Sequence, residues 1–264
     1  SLRQSSASCG GLDKNQTKDP MSKFKKFIVA ADNHGELGCP DAIKKILDFN
    51  KTWKANYRIH LGDVWDFGCL RRGASPEDKA HGITDDYSRG MEFLEQYRPH
   101  YLTLGNHDDR IWMNVEQCAD GILRERCQEL AAGAERRFKQ LKIEWIPHSV
   151  DQALQMPEGG PRLVHGFASG QNCIKKHHYH YGACLHGHVH RPGTFTADTL
   201  DGSQSLSVGC LGDIKKMSYA NRYLAKQGWR QGFAYGIINT RTGAWNAWNV
   251  TKENEDWISP QGVL

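Results

Sequence analysis

No two of the eight cysteines, at positions 9, 39, 69, 118, 127, 173, 184 and 210, are spaced as C-x-x-C. That excludes a zinc ribbon and a thioredoxin-like redox site. No secretory signal precedes them, so they read as reduced thiols of a cytoplasmic protein, each a small buried hydrophobe. No apolar run approaches the roughly 18 residues that a membrane span needs, so no membrane partner is expected. Charge of one sign is scarce too: 34 Lys and Arg against 30 Asp and Glu leave a net +4. A protein that binds nucleic acid through phosphates usually shows a clustered basic face, and so small an excess does not argue for one. It remains compatible with a phosphate-bearing substrate. Internal repeats and low-complexity tracts are absent as well.

With 39% hydrophobic and 24% charged residues, the chain is expected to fold as a soluble globule. Its first twenty residues, SLRQSSASCGGLDKNQTKDP, are polar, rich in Ser and Gly and free of periodicity. They read as a disordered leader or an expression remnant ahead of Met21. Residues 26–31 then form a short apolar strand that ends at Asp32. Pro40 and Asp41 open a helix whose Ile43, Ile46, Leu47, Phe49 and Trp53 follow 3–4 spacing. A second strand is predicted over 57–61, a loop over 70–84, a helix over 85–97 and a third strand in HYLTLG. The pattern is helical from about 109 to 140. A strand follows near 143–146, another ends at His165, a short helix spans 172–181, and ACLHGHVHRP is a strand that runs into histidines. Beyond 193 the character changes to hairpins, around Asp201-Gly202 and Thr242-Gly243. Strand–helix alternation followed by hairpins predicts a mixed two-sheet α/β sandwich.

Polar residues gather where these strands end. YLTLGNHDDR drives an apolar strand into an amide, an imidazole and two carboxylates. Four other strand ends do the same: Asp32-Asn33-His34, Gly62-Asp63, His165-Gly166 and Gly187-His188-Val189-His190. In extended chain, residues two apart point to one side, so Asp-x-His and His-x-His pairs can reach one centre. Carboxylate, imidazole and amide oxygen form a mixed donor set that suits Mn, Fe, Zn or Ni better than Ca or Mg. Asp32, His34, Asp63, Asn106, His165, His188 and His190 are too many for one ion. Two ions sharing one carboxylate use all seven, and paired metals are a common arrangement for attack on phosphate esters.

The ordered set D-x-H, GD-x-x-D, GNHD, H and GH-x-H, spread over residues 27–192, resembles the calcineurin-like metallophosphoesterase superfamily. The resemblance implies an α/β/β/α sandwich formed by one domain over 21–264. It also implies two divalent transition-metal ions, manganese first among them. Asp32, His34 and His190 would hold one ion; Asn106, His165 and His188 would hold the other; Asp63 would bridge. A hydroxide between the ions would attack phosphorus. His107 would bind no metal but protonate the leaving oxygen, and Asp66, three residues after the bridging carboxylate, would orient it. The implied substrate is a phosphate ester, with a slight preference for a phosphodiester such as a nucleotide or nucleic acid. A phosphomonoester comes next, and a non-catalytic scaffold of the same fold last.

The sequence departs from the superfamily's Ser/Thr phosphatases, which read D-R-G where Asp66-Phe67-Gly68 stands and GNHE where GNHD stands. Both departures count against a phosphoprotein substrate. Arg110 either meets a substrate phosphate or forms a surface salt bridge with Asp109 or a neighbour. Asp108 and Asp109 are expected to begin the helix after GNH, where carboxylates suit the positive dipole end. Asn33 and His60 read as structural, and His186 as pointing away from the metals. KKHHYHYG (175–182) reads as a solvated helix face or a substrate-side loop. Trp65, Phe67 and Trp112 are expected to pack beneath the site, and the arginines at 124–137 to form a solvated helix face.

Overall fold

Alternation along the first strand sets the layers. Phe27 and Val29 turn to one side, where they pack with Ile59, Leu163, Leu185 and Leu206. Ile28 and Ala30 turn to the other and pack with Ala42, Ile46, Phe93 and Tyr97. Both faces of this strand are buried, as expected for strands covered on each side. The computed structural model describes residues 23–217 and 228–264, so the leader expected over 1–20 lies outside the described residues.

The strands are β1 Phe24–Ala30, β2 Tyr57–His60, β3 Tyr101–Thr103, β4 Glu144–Ile146, β5 Leu154–Gln155, β6 Arg162–Val164, β7 Cys184–His186, β8 Gly193–Thr196, β9 Gln204–Ser207, β10 Gly232–Asn239, β11 Trp245–Glu253, β12 Asp256–Ser259 and β13 Gly262–Val263. The helices are α1 Pro40–Trp53, α2 Pro76–Ala80, α3 Ile83–Tyr97, α4 Arg110–Gln117, α5 Gly121–Leu141 and α6 Cys173–Tyr181. One sheet has eight strands in the order β13-β12-β11-β10-β1-β2-β3-β4, the other five in the order β5-β6-β7-β9-β8. The two sheets face each other across the cluster that holds Phe27, Val29 and Leu163. On the outer side of the large sheet, α4 and α5 contribute Ile111, Cys127, Leu130 and Phe138 to a second cluster. Tyr181 of α6 packs on Val164 and Cys184 outside the small sheet. The expected α/β/β/α sandwich is what the chain forms.

The hairpins after 193 divide between the sheets instead of building the second one together. β8 and β9 pair within the small sheet, whereas β10 pairs antiparallel with β1 and carries β11 to β13 with it. Apolar alternation in a strand shows that a face is buried, not which sheet it joins. The helical stretch at 109–140 is also broken. α4 ends at Gln117, and Asp120 caps α5 by accepting from Leu123 N at 3.1 Å.

One consequence of the topology matters most. β1, β2, β3 and β4 run parallel, as do β6 and β7. The polar clusters following β1, β2, β3, β6 and β7 therefore emerge together at the carboxyl ends of their strands, where open α/β sheets bind ligands.

Candidate metal centre

The loops that leave β1 and β2 are laced together before any side chain acts. Asp32 N donates to Gly62 O at 2.9 Å, His34 N to Asp63 O at 3.0 Å and Gly35 N to Val64 O at 2.7 Å. Asn33 and His60 lock the same crossing. His60 Nε2 donates to Asn33 Oδ1 at 2.8 Å, Gly62 N donates to His60 Nδ1 at 3.1 Å, and Asn33 Nδ2 donates to Val64 O at 2.8 Å. Burial holds His60 down to about 3, so it stays neutral and keeps one nitrogen as an acceptor. Gly105 leaves room for the carboxylate: a Cβ there would stand 2.1 Å from Asp63 Oδ1.

Backbone strain concentrates on the polar residues themselves. Asp32, His34, Asp63, His188 and His190 all have left-handed φ, at 55°, 51°, 52°, 70° and 53°. Such conformations cost about 1–3 kcal/mol each outside glycine and persist only where the surroundings over-determine them. Here they turn five side chains toward a common space.

Three donor groups result. Asp32, His34 and His190 converge within one, Asp63, His165 and His188 within a second, and His34, Asp66 and His107 within a third. In the first, His34 Nε2 and His190 Nε2 lie 3.1 Å apart, and His190 Nε2 is 3.5 Å from Asp32 Oδ1. In the second, Asn106 Oδ1 sits 3.1 Å from His165 Nε2 and 3.0 Å from His188 Nδ1. Asp63 Oδ2 reaches both of these, 3.3 Å from His165 Nε2 and 4.0 Å from His34 Nε2. All seven residues singled out in the sequence thus meet at one place.

Neighbouring acceptors set the tautomers. His34 Nδ1 donates to Asp66 Oδ1 at 3.1 Å and His165 Nδ1 to Leu61 O at 2.7 Å. In the neutral ring of His34 the Nε2 atom is then a lone pair aimed inward, and His165 Nε2 becomes one once a cation displaces its proton. Burial keeps His34 and His188 neutral, His188 down to about 3. Against the cost of burial, the carboxylate of Asp63 pushes His165 up to about 9. Burial likewise works against ionising Asp32 and Asp63, and the nearby imidazoles hold both below the usual carboxylate range. Buried carboxylates facing imidazole lone pairs, on strained backbone, fit divalent cations bound by mixed oxygen and nitrogen donors.

His107 stands beside this group. Its backbone N donates to Asp63 Oδ1 at 2.9 Å, and its Nδ1 donates to Asp66 Oδ1 at 2.9 Å. Despite its burial, Asp63 and Asp66 raise its pKa, which favours the imidazolium. Two cavities meet at this ring. One, about 190 Å³, is lined by Asp63, His188, His190, Ser169 and Trp229; the other, about 290 Å³, by Asp66, Arg110, Arg71 and Leu37; His107 lines both. Ser169 and Trp229 had no signal in the sequence. Trp229 packs edge-on against His190, with ring centres 4.4 Å apart.

Other expectations need correction. Asp108 does not begin a helix. It is fully buried and accepts from Gly105 N at 2.8 Å and Trp65 N at 2.9 Å, tying the β2 and β3 loops together. Asp109 does stand at the start of α4, as its N-cap residue, though its side chain makes no capping bond. Arg110 forms no ion pair with Asp109; its Nη1 donates to Asp66 O at 2.6 Å. The solvated face expected for α6 holds for Lys175, Lys176, Tyr179 and His180 but not for its other two histidines. His177 and His178 are buried, His177 lies 4.1 Å ring to ring from His186, and it accepts from Phe167 N at 2.9 Å and Ala168 N at 3.1 Å. Trp65 and Phe67 pack beneath the site in a stack with Tyr87, as expected, and Trp112 packs against the same cluster while its Nε1 donates to Glu135 on α5.

No protein-family model matches the chain, and no curated protein matches it. Solved structures do align. A predicted phosphoesterase from Streptococcus pneumoniae TIGR4 is 15% identical over 90% of this chain and 91% of its own, with a TM-score of 0.38. Vacuolar protein sorting 29 from Cryptosporidium parvum is 13% identical over 89% and 95%, with a TM-score of 0.48. A phosphoesterase from E. coli is 15% identical over 83% and 96%, with a TM-score of 0.34. Alignments at these values carry no functional inference, which has to come from the residues of the site.

Proposed function

We propose that the protein is a phosphoesterase dependent on two divalent metal ions. The observation that carries this reading is the convergence of seven oxygen and nitrogen donors, five of them on left-handed backbone, beside an imidazole backed by a carboxylate. Asp32, His34 and His190 would hold one ion, Asn106, His165 and His188 the other, and Asp63 both. Ions bound there supply a water activated for attack and neutralise charge on the phosphoryl oxygens. The mixed donor set suits manganese, with iron, zinc or nickel as alternatives.

His107 would supply the proton. Asp66 accepts from Nδ1, so the imidazolium presents its other proton, on Nε2, to the leaving oxygen. Despite burial, the Asp63 and Asp66 carboxylates raise its pKa, which favours the charged, proton-donating form. An acid at this position favours substrates with poor leaving groups, hence phosphodiesters ahead of phosphomonoesters. A phosphoryl group fits the cavity lined by metal ligands, and the leaving group fits the larger one across His107. Arg110 lines that larger cavity and would contact the substrate.

A nucleotide suits the site better than a polynucleotide. Arg126 and Arg137 of α5 are paired with Glu129 and Glu95, which offsets part of the positive charge that a polynucleotide would track. The seven cysteines among the described residues are free thiols, which fits residence in the cytoplasm. Among the described residues, no helix is long and apolar enough to cross a membrane. The test is hydrolysis of bis(p-nitrophenyl) phosphate beside p-nitrophenyl phosphate with manganese added. Diester cleavage supports the reading, monoester-only cleavage moves it to a phosphatase, and cleavage of neither by metal-loaded protein favours a scaffold.

A further inference from the structure

The residue that holds Asp66 in place lies on a helix that none of the sequence motifs touch. Asp86, in the first turn of α3, is buried with 4% of its surface exposed. Its carboxylate accepts three backbone N–H groups: Glu36 N at 3.1 Å on Oδ1, and Asp66 N at 3.1 Å and Phe67 N at 2.6 Å on Oδ2. Glu36 belongs to the loop that carries His34, Asp66 and Phe67 to the loop that carries Asp63. The fit is close. A Cβ on Gly35 would stand 1.9 Å from Asp86 Oδ1.

Both loops turn left-handed where Asp86 grips them. Gly35 has φ 49° and Phe67 has φ 44°. Phe67 is not glycine, so its left-handed turn needs outside support. The turn also decides where Asp66 points: its Oδ1 receives both His107 Nδ1 and His34 Nδ1. A carboxylate suits the task because it only accepts. An asparagine would aim an N–H donor at backbone N–H groups.

We propose that Asp86 is a positioning residue that acts through Asp66 on His107. By fixing the N–H groups of Asp66 and Phe67, it keeps Asp66 Oδ1 under the His107 ring and so keeps that imidazole ready to give its proton. The kinetic part of this proposal rests on the phosphoesterase reading; the structural part does not.

The experiment compares Asp86→Asn and Asp86→Glu with the unaltered protein, alone and in an Asp66→Ala background. Rates are measured with manganese on bis(p-nitrophenyl) phosphate and on a diester with an alkyl leaving group. The proton-detected NMR signal of His107 Nδ1–H is followed in metal-free protein. Asp86→Asn is expected to lower kcat on the alkyl diester by about 10-fold or more, with a smaller loss on the nitrophenyl diester and little change in KM. The Nδ1–H signal should broaden or shift. In the Asp66→Ala background the same change should have no further kinetic effect. A fall in melting temperature with kcat, leaving-group dependence and the NMR signal all unchanged would overturn the proposal and leave Asp86 a brace for folding alone. If the unaltered protein cleaves neither diester, the function reading fails. The NMR comparison then decides on Asp86 by itself: an unmoved signal in both variants overturns it.

Discussion

Nδ1 of His107 stands 2.9 Å from Oδ1 of Asp66, and that same oxygen also takes the Nδ1 proton of His34, 3.1 Å away. One carboxylate oxygen thus serves the proposed proton donor and a proposed metal ligand. Although burial works against its ionisation, hydrogen bonds from His107 and His34 hold Asp66 below the usual carboxylate range. It stays ionised across ordinary pH and can play both parts.

Removing the acid tests one part. His107→Ala should lower kcat on an alkyl diester by roughly 10²–10⁴-fold. The loss should be smaller with a nitrophenyl leaving group, which departs without a proton. Manganese binding, measured by calorimetry, should change little, because His107 is not among the seven proposed ligands and its Nδ1 is engaged by Asp66. Equal loss on both substrates would point to a role for His107 in substrate binding.

Removing the shared carboxylate tests the other. Manganese should raise the melting temperature of the unaltered protein, since ligand at 100 times its Kd contributes about 2.7 kcal/mol per site. Asp63→Asn should abolish most of that rise, because Asp63 Oδ2 faces imidazoles of both proposed ion sites. Differential scanning calorimetry with and without the metal reads the difference.

Buried neutral histidines predict acid sensitivity. Burial holds His177 down to about 4 in the folded protein, against an ordinary value of 6.5. Between these values the unfolded chain takes up a proton that the folded one refuses. The stability is fully present above about 6.5 and is lost as pH falls toward 4. His177→Gln should flatten the pH dependence of metal-free unfolding by up to one proton, about 1.4 kcal/mol per pH unit. Urea titrations at pH 6.5, 5.5 and 4.5 measure it.

Gly90 tests the packing under the site. A Cβ there would lie 2.2 Å from Cδ1 and Nε1 of Trp65, whose ring stacks on Tyr87. Gly90→Ala gains about 1 kcal/mol of helix propensity. Displacing Trp65 should cost more, since overpacking a core typically costs about 1–3 kcal/mol. A lower denaturation midpoint at unchanged slope would confirm the net loss.

The site was legible because its chemistry is written in short blocks at strand ends. Asp32 with His34, and His188 with His190, declare themselves by residue type and spacing alone. What supports them was less visible. Asp86 sits in an ordinary helical stretch, and only the fold brings it under Asp66. Asp108 looked like a helix-start carboxylate because sequence neighbours suggest local roles, whereas its partners Gly105 and Trp65 come from two loops. His177 and His178 lie in a run of polar residues that reads as solvated, yet α6 turns both inward. The division of the hairpins escaped for a related reason: β10 finds β1 through a long-range pairing, Val29 opposite Ala234, that local pattern does not encode.

The most direct test of the central claim is a titration of chelator-stripped protein with manganese, following hydrolysis of bis(p-nitrophenyl) phosphate and bound metal together. No turnover is expected without metal, and activity should rise to a plateau at two ions per chain. Two ions bound with no hydrolysis of any phosphate ester, or hydrolysis that survives complete removal of metal, would contradict it.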